Sequence, residues 1–288
     1  MKVYILGITG LLGSELFLRF IKGGQHLVKG STRKHELKEF PILNQYKKNI
    51  DFGIDIINLK NLKKQIKEFN PDYVINCIGY VKQKINKFTK KSEVMYVNAV
   101  FPKKIYSIVK KLNSRLIHFS SDCVFDGKIG NYCEKEKPNA SDLYGFSKYL
   151  GELNDKKAIT IRTSIIGHEI KEKFGLLEWF LSKKKCYGFT NSYFSGLTSF
   201  EIYNFINNYL FKKKNINGLF NLSSSKISKY ELLKIIKSAY KKKIFIKKDG
   251  KFKINRTLNS QFIKKKLSYK NPSWLKMIKK MYLNKKAN

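Results

Sequence analysis

Tyr144 and Lys148 are the residues whose types and spacing point most directly to chemistry. Side chains four positions apart lie on one face of a helix, so the spacing predicts that these two side chains are neighbours. A lysine ammonium beside a tyrosine stabilises the phenolate and lowers the pKa of the phenol from about 10 toward neutral pH. Such a tyrosine can exchange a proton with a carbonyl or alcohol oxygen of a substrate.

A serine at the end of a predicted strand strengthens this interpretation, because the pair alone carries little weight among 17 tyrosines and 54 lysines. The strand predicted over 115–120 runs into Ser121 and Asp122. In a parallel sheet the carboxyl ends of the strands face the ligand crevice. We therefore expect Ser121 to hydrogen bond the same substrate oxygen as Tyr144.

A glycine-rich turn near the start of the chain predicts a dinucleotide-binding site. The turn, Gly-Ile-Thr-Gly-Leu-Leu-Gly over 7–13, lies between a predicted strand and a predicted helix. Glycine permits positive φ and close approach of the backbone to a pyrophosphate, and the helix N-terminus attracts that anion. The alternative is an ordinary turn between a strand and a helix. The residues expected to contact the cofactor here are Gly7, Thr9, Gly10, Leu11, Leu12 and Gly13.

The end of the second predicted strand favours NADPH as the cofactor. An acid at this place would bind the 2′-hydroxyl of NAD, but the chain has Gly-Ser-Thr-Arg-Lys over 30–34. Hydroxyls and cations suit a 2′-phosphate, so we expect Ser31 and Arg33 to contact it, with NADH as the alternative cofactor. Asp55 and Ile56 are expected near the adenine.

Short apolar runs alternate with helical patterns, which predicts an α/β fold with a parallel sheet. The predicted strands are 3–6, 26–30, 49–56, 73–78, 115–120, 158–163 and 219–222, and the predicted helices are 12–22, 59–69, 93–112, 141–153 and 228–240. Ser228 and Glu231 have the spacing of a capping box. We expect a Rossmann-type, doubly wound NADP-binding domain over 1–166. A smaller substrate-binding lobe is expected over 167–288, with segments that can return to the main sheet.

Taken together, these motifs resemble the extended short-chain dehydrogenase/reductase family. The segments 120–127 (Ser-Ser-Asp-Cys-Val-Phe-Asp-Gly) and 144–152 (Tyr-Gly-Phe-Ser-Lys-Tyr-Leu-Gly-Glu) are similar to those of its dTDP-4-dehydrorhamnose reductase branch. The resemblance covers most of the chain and is strongest up to about residue 167. It implies a Rossmann-type domain, a nicotinamide cofactor and reduction of the 4-keto group of a nucleotide-linked deoxysugar, in polysaccharide precursor biosynthesis.

The resemblance also implies roles that spacing alone does not. It assigns Lys148 to the nicotinamide ribose and Asn98 to a water in the proton relay, and it places Cys77 at the cofactor. The residues that it implies at the substrate are Ser121, Asp122, Val124 and Arg256.

Departures from the family pattern leave the sugar and parts of the reaction open. The segment 81–84 differs from the family, and the segments 196–198 and 256–257 each lack a proline of the family motifs. Cys123 follows Asp122 where the 4,6-dehydratases need a glutamate, which disfavours water elimination. An epimerase that uses the same tyrosine and lysine stays open, as does a catalytically silent, NADP-sensing regulatory subunit.

Composition limits the remaining classes. The net charge of +38 rests on 54 lysines spread over the chain and only five arginines, so we expect solvated lysines and no specific nucleic-acid partner. The chain has no run of 18 apolar residues, and Glu15 and Arg19 interrupt its apolar start, so we expect neither a membrane partner nor a signal peptide. Four cysteines without metal-ligand spacing predict no metal and a cytoplasmic location. A homodimer stays open.

We expect the charge to steer anions rather than to select nucleic acids. Oligonucleotides should bind non-specifically, with a Kd of roughly 10⁻⁴–10⁻⁶ M at physiological salt. Because NADPH and sugar nucleotides carry phosphates, kcat/KM should fall as ionic strength rises. A titration of duplex and single-stranded oligonucleotides at physiological salt checks the first expectation. Nanomolar, sequence-selective binding would contradict it.

Overall fold

A computed structural model describes residues 1–286 of the chain. The strands in chain order are β1 (Lys2–Leu6), β2 (Leu27–Ser31), β3 (Ile50–Asp51), β4 (Tyr73–Asn76), β5 (Arg115–Ser120), β6 (Ala158–Arg162), β7 (Ile165–Ile166), β8 (Lys185–Phe189), β9 (Ser192–Phe194), β10 (Leu197–Thr198), β11 (Gly218–Asn221), β12 (Ile227–Ser228), β13 (Phe245–Asp249) and β14 (Ile254–Asn255). The α-helices are α1 (Leu11–Lys22), α2 (Pro41–Asn44), α3 (Lys60–Phe69), α4 (Lys91–Met95), α5 (Phe101–Lys110), α6 (Leu143–Leu150), α7 (Leu176–Ser182), α8 (Ser199–Phe205), α9 (Lys229–Ala239), α10 (Gln261–Leu267) and α11 (Trp274–Lys286).

Seven strands form the central sheet, in the order β11-β6-β5-β4-β1-β2-β3. β1 pairs in parallel with β2 and β4, and the outer pairs β2–β3 and β4–β5 are parallel too. The strand order reverses at β1, with β2 and β3 on one side and the later strands on the other. This is the doubly wound arrangement, so the predicted α/β, Rossmann-type fold is confirmed.

The central strands are buried on both faces. Every residue of β4 and β6 is buried. Leu6, Val74 and Leu116 of the sheet belong to one apolar cluster with Ile66 of α3 and Ile105 of α5. Helices on both faces of a parallel sheet explain why its strands form continuous apolar runs in the sequence.

Two predicted elements are shorter in the structure. The strand expected over 49–56 is only Ile50–Asp51, since Gly53 adopts a φ of +63° and ends the extended segment. The helix expected over 141–153 spans Leu143–Leu150, since Asp142 is its N-cap and Gly151 its C-cap. The capping box of α9, Ser228 with Glu231, is confirmed.

The chain divides into two compact units. The first comprises Met1–Ser120, Asp142–Ile161 and Asn215–Leu219, and the second comprises Ser121–Ser141, Arg162–Lys214 and the chain from Phe220 on. The units therefore interleave along the chain. The functional division that the sequence suggests at residue 166 stays a prediction.

The second unit contains small sheets. β7 pairs in parallel with β10, and β8 pairs in parallel with β13. β9 lies between β12, which is antiparallel to it, and β14, which is parallel to it. The cores of these sheets are completed by helices, among them α9, whose Leu232, Leu233 and Ile236 are buried.

In the first unit, a π-helical turn lies between helices α4 and α5. The segment Tyr96–Val100 joins α4 to α5 with this wider turn, and Asn98 and Ala99 within it are buried. The end of α6 packs closely against this turn at Gly151, where an added Cβ would overlap the backbone oxygen of Asn98. Glycine at residue 151 is therefore a requirement of packing.

Replacing Gly151 with alanine should destabilise the protein. The atom that the new methyl group meets belongs to the backbone and cannot rotate away, and overpacking of this kind costs about 1–3 kcal/mol. Urea unfolding monitored by circular dichroism measures the loss. Gly10→Ala is the matched control, because its Cβ would meet only the backbone oxygen of Gly7, at 3.6 Å, and it should cost no more than about 1 kcal/mol. Equal losses in the two variants would contradict the packing argument.

Candidate active site

The glycine turn is tight and cannot tolerate side chains at its ends. The amides of Gly7 and Ile8 both donate to the carbonyl of Ser31, at 3.1 and 3.2 Å, and Gly7 adopts a φ of +79°. A Cβ on Gly13 would overlap the backbone oxygen of Gly7. The end of β1, the end of β2 and the start of α1 are therefore held together through backbone atoms.

The start of α1 fits a pyrophosphate. Its N-cap is Gly10, which is exposed and has no side chain to cap the first helical amides. Those amides have no partner within the helix and lie at its positive end. Thr9 and Leu11 are half-buried beside Gly10, whereas Leu12 and Gly13 are buried and can offer only backbone atoms.

The two residues expected at the 2′-phosphate differ in their exposure and in their hydrogen bonds. Arg33 is exposed and forms no hydrogen bond or ion pair within residues 1–286. Ser31 is buried, and its hydroxyl interacts with Tyr4, which in turn donates to Asp51 at 2.6 Å. Arg33 is thus free to bind an anion, while the hydroxyl of Ser31 takes part in a network within the sheet.

The segment expected near the adenine is a fixed loop. Asp55 is exposed, and its carboxylate accepts from the amide of Ile57 at 2.9 Å. The carbonyl of Ile56 accepts from the hydroxyl of Tyr96 at 2.7 Å. These contacts leave one carboxylate oxygen of Asp55 for another donor.

Helix α6 carries both Tyr144 and Lys148, as the spacing predicts. Asp142 begins the helix by accepting from the amide of Gly145 at 3.0 Å, and it also pairs with Lys82 at 2.9 Å. Tyr144 is half-buried, whereas Lys148 is only 6% exposed. The two side chains therefore lie four residues apart on a short helix whose first turn is capped by the carboxylate of Asp142.

The ammonium of Lys148 is buried and bonded to the sheet. It donates to the carbonyl of Phe119 in β5, at 2.6 Å. Burial lowers the pKa of Lys148 to about 8. Two neighbours act in the opposite direction and raise this pKa, Glu152 more strongly than Cys77. Lys148 is therefore mostly charged at neutral pH and loses its proton in mildly alkaline solution.

Asn98 lies beside Lys148, and its side-chain amide makes three hydrogen bonds. Its Oδ1 accepts from the amide of Tyr80 at 2.8 Å, and its Nδ2 donates to the carbonyl of Tyr80 at 3.2 Å and to the hydroxyl of Ser147 at 3.1 Å. A Cβ on Gly79 would lie 3.6 Å from Oδ1 of Asn98 and 3.7 Å from Nζ of Lys148. The two side chains thus border the same small space.

A buried polar group lies behind Lys148. His118 is fully buried, and its Nδ1 lies 3.2 Å from Nδ2 of Asn76. Burial and the charge of Lys148 together lower the pKa of His118 well below its usual value, so this ring is neutral. Burial raises the pKa of the Cys77 thiol, which is therefore protonated near neutral pH.

The second unit holds the residues expected at the substrate. The hydroxyl of Ser121 accepts from the amide of Cys123 at 3.1 Å and lies 3.2 Å from Oδ1 of Asp122. Ser121, Asp122 and Val124 are buried. Arg256 donates through Nε to the carbonyl of Phe125 at 2.8 Å, so it belongs to the same cluster.

Three residues near these groups were not identified from the sequence. Ser147 pairs with Asn98, Ser120 donates to Glu152 at 2.7 Å, and Lys229 has its pKa lowered by burial while Asp122 opposes that effect. Each partner is distant in sequence, so spacing carried no signal. A lysine at the first position of a helix, where a cation is disfavoured, was the one local clue to Lys229.

Two kinds of feature are absent from the described part of the chain. Within residues 1–286, no helix is long and apolar enough to cross a membrane. The same residues include no cluster of three or more histidine, cysteine, aspartate or glutamate side chains that could hold a metal ion.

Known proteins resemble this chain over slightly more than half of its length. A probable low-salt glycan biosynthesis reductase of Haloferax volcanii is 30% identical over 154 residues, which cover 53% of this chain and 48% of that protein. Methionine adenosyltransferase 2 subunit beta of Xenopus tropicalis is 25% identical over 175 residues, covering 59% of this chain and 48% of that protein. The match spans about half the length of each of these relatives.

The crystal structure of dTDP-4-dehydrorhamnose reductase from Bacillus anthracis in complex with NADP has the same fold. It superimposes with a TM-score of 0.78 at 19% identity, over 98% of this chain and 99% of that one. The family model of the RmlD substrate binding domain matches residues 1–183. This match takes in more than half of the chain and includes the glycine turn and helix α6. The chain therefore belongs to the RmlD substrate binding domain family, among the extended short-chain dehydrogenases/reductases.

Proposed function

We propose that this protein reduces the 4-keto group of a nucleotide-linked deoxysugar with NADPH, in the cytoplasm, as a step toward a glycan precursor. The observation that carries the proposal is the buried ammonium of Lys148, fixed to the carbonyl of Phe119 at 2.6 Å on the helix that bears Tyr144. A cation beside a tyrosine favours the phenolate and so eases transfer of the phenol proton to a ketone oxygen. The name of the Haloferax volcanii relative, a glycan biosynthesis reductase, supports the substrate class.

The chain's own residues account for the proton in this reaction. Tyr144 donates its proton to the keto oxygen as hydride reaches the carbon. Lys148 stabilises the phenolate that remains, because an ammonium close to a phenolate lowers its free energy. Since one of its three N–H groups is taken by Phe119, two are left for the phenolate and for the nicotinamide ribose.

Two further residues are proposed to act on the substrate oxygen and on the proton supply. Ser121 would donate to the keto oxygen, and its buried position keeps water from competing for that bond. Asn98 would hold a water of the proton relay, for which its carbonyl oxygen has one lone pair left after accepting from Tyr80. We also propose substrate contacts for Asp122, Val124 and Arg256.

The cofactor is proposed to bind along the turn 7–13, with Arg33 at the 2′-phosphate. NADPH supplies the hydride when bound. The backbone amides at the start of α1 would hold the pyrophosphate, and Cys77, Asp55 and Ile56 would border the rest of the cofactor. The support for NADPH over NADH is the exposed, unbonded guanidinium of Arg33 and the lack of an acid at 30–34.

A regulatory subunit is the second candidate, since several relatives are named methionine adenosyltransferase 2 subunit beta. The presence of Tyr144, Lys148 and Ser121 favours an enzyme over a silent subunit. An epimerase would use the same tyrosine and lysine. An NADPH-oxidation assay over a panel of 4-keto-6-deoxy sugar nucleotides, followed by incubation of 4-hydroxy sugar nucleotides with the oxidised cofactor, separates the three. Oxidation of NADPH by a 4-keto sugar supports the reductase, and inversion of a 4-hydroxy sugar with no net change in the cofactor supports the epimerase. The absence of both reactions supports the subunit.

Tyr144→Phe should lower kcat by roughly 10²–10⁴-fold, because the variant keeps the ring and loses the proton donor. NADPH affinity, measured by quenching of protein fluorescence, should stay within a few-fold of the wild type. Tyr149→Phe, a half-buried tyrosine of the same helix, is the matched control and should keep its activity. Near-normal turnover by Tyr144→Phe would show that another group donates the proton.

Arg33→Ala should weaken NADPH by about ten-fold or more and leave NADH nearly unchanged. A charge-assisted contact to phosphate contributes about 1.5–3 kcal/mol, which sets this expectation. Dissociation constants of both cofactors measure the effect. Lys38→Ala removes another exposed cation, one that pairs with Glu36 at 3.0 Å, and should change neither affinity. A similar loss for both cofactors in Arg33→Ala would rule out the 2′-phosphate contact.

A further inference from the structure

The charge on Lys148 depends on a few titratable neighbours. Those that act on it come from three elements: Glu152 just beyond α6, Cys77 after β4 and His118 in β5. Phe119 contributes a carbonyl oxygen, which is polar and uncharged. Burial disfavours the charged form of Lys148. The charged groups near it therefore determine up to which pH it keeps its proton.

Two of these three neighbours are neutral near neutral pH. Burial raises the pKa of Cys77 far above neutrality, so this residue is a thiol and not a thiolate. Burial and Lys148 itself keep His118 unprotonated. Of the three, Glu152 alone supplies a charge, and its sign favours the ammonium.

The carboxylate of Glu152 is fixed in place. Its Oε1 accepts from the hydroxyl of Ser120 at 2.7 Å, and Ser120 is the last residue of β5, next to Phe119. Beyond α6 the chain makes a tighter turn, in which the amide of Gly151 donates to the carbonyl of Lys148 at 3.2 Å and that of Glu152 to the carbonyl of Tyr149 at 3.0 Å. This turn lets Glu152 reach Ser120, whose chain neighbour Phe119 accepts the hydrogen bond from Lys148, so both side chains are held at the same end of β5.

We propose that Glu152, oriented by the hydroxyl of Ser120, is the counter-charge that holds Lys148 in its protonated form for the reaction. Glu152 acts through Lys148 and does not touch the substrate, so it is a positioning residue. The inference rests on the proposed function for its kinetic readout, since the ammonium is what stabilises the phenolate of Tyr144.

The direction of the effect follows from the charges. The pKa of Lys148, about 8, contains an upward contribution from Glu152. Removing that negative charge lowers the pKa further, by about one unit if the contribution is at the low end of that expected for a neighbouring charge. The ammonium is then lost at lower pH, so the alkaline limb of kcat/KM moves to lower pH.

The kinetic test is the pH profile of kcat/KM for Glu152→Gln. We expect activity close to the wild type at pH 6 and about five-fold lower at pH 8, where a one-unit shift takes the protonated fraction from about a half to about a tenth. Glu152→Asp keeps the charge and should keep the midpoint near that of the wild type, even if the overall rate falls. Ser120→Ala should move the midpoint in the same direction by less.

A matched control removes an equivalent charge elsewhere. Glu68 is exposed and pairs with Lys64 at 3.9 Å on α3, also at i,i+4 spacing. Glu68→Gln should leave the profile unchanged. A profile of Glu152→Gln that superimposes on the wild type, or an equal shift in Glu68→Gln, would overturn the proposal.

A second readout does not depend on turnover. Titration of ¹³Cε-labelled lysines by NMR reports the pKa of Lys148 directly, with its signal assigned by its loss in Lys148→Arg. The signal should titrate at lower pH in Glu152→Gln and near the wild-type pH in Glu152→Asp. If the wild type reduces no 4-keto sugar nucleotide, the proposed function fails while this titration still decides the role of Glu152. An unshifted Lys148 signal in Glu152→Gln contradicts that role whatever the activity.

Discussion

The buried ammonium of Lys148 is the interaction on which the candidate site depends. Removing such an ion from water costs several kcal/mol even after the protein relaxes, so it persists only with good partners. The carbonyl of Phe119 and the charge of Glu152 are those partners. Both are fixed at the carboxyl end of β5, the second through Ser120. The register of α6 against this strand end therefore determines where Tyr144 lies.

Backbone packing maintains that register. Gly151 lets the end of α6 approach the π-helical turn so closely that no side chain would fit, and Asn98 within that turn bonds to Ser147 on α6. π-turns occur frequently at functional sites, where they reposition one side chain without ending the helix. Here the wider turn places the amide of Asn98 beside the small space next to Gly79, which Lys148 also borders.

The features that the sequence predicts are those whose partners are close along the chain. The turn 7–13, the four-residue spacing of Tyr144 and Lys148 and the capping box of α9 depend on neighbours within one turn or one loop. The buried strands are also predictable, because parallel strands covered on both faces form continuous apolar runs. By contrast, Ser120 and Glu152 lie 32 residues apart, and Asn98 and Ser147 lie 49 apart. Only the order of the sheet brings such pairs together, and the strands β7, β10, β12 and β14, of two residues each, are too short to show a period.

Burial distinguishes two lysines of the candidate site from the many lysines on the surface. Exposed lysines such as Lys64 and Lys38 pair with nearby acids in water, where an ion pair contributes little. Burial instead lowers the pKa values of Lys148 and Lys229. In each case a nearby acid raises the pKa again in part, Glu152 for Lys148 and Asp122 for Lys229. A cation at the first position of α9 also opposes the helix dipole, so Lys229 is disfavoured twice and still present. The net charge of +38 thus says little about chemistry, whereas a lysine whose pKa is lowered by burial next to an acid is the kind of group that clusters at functional sites.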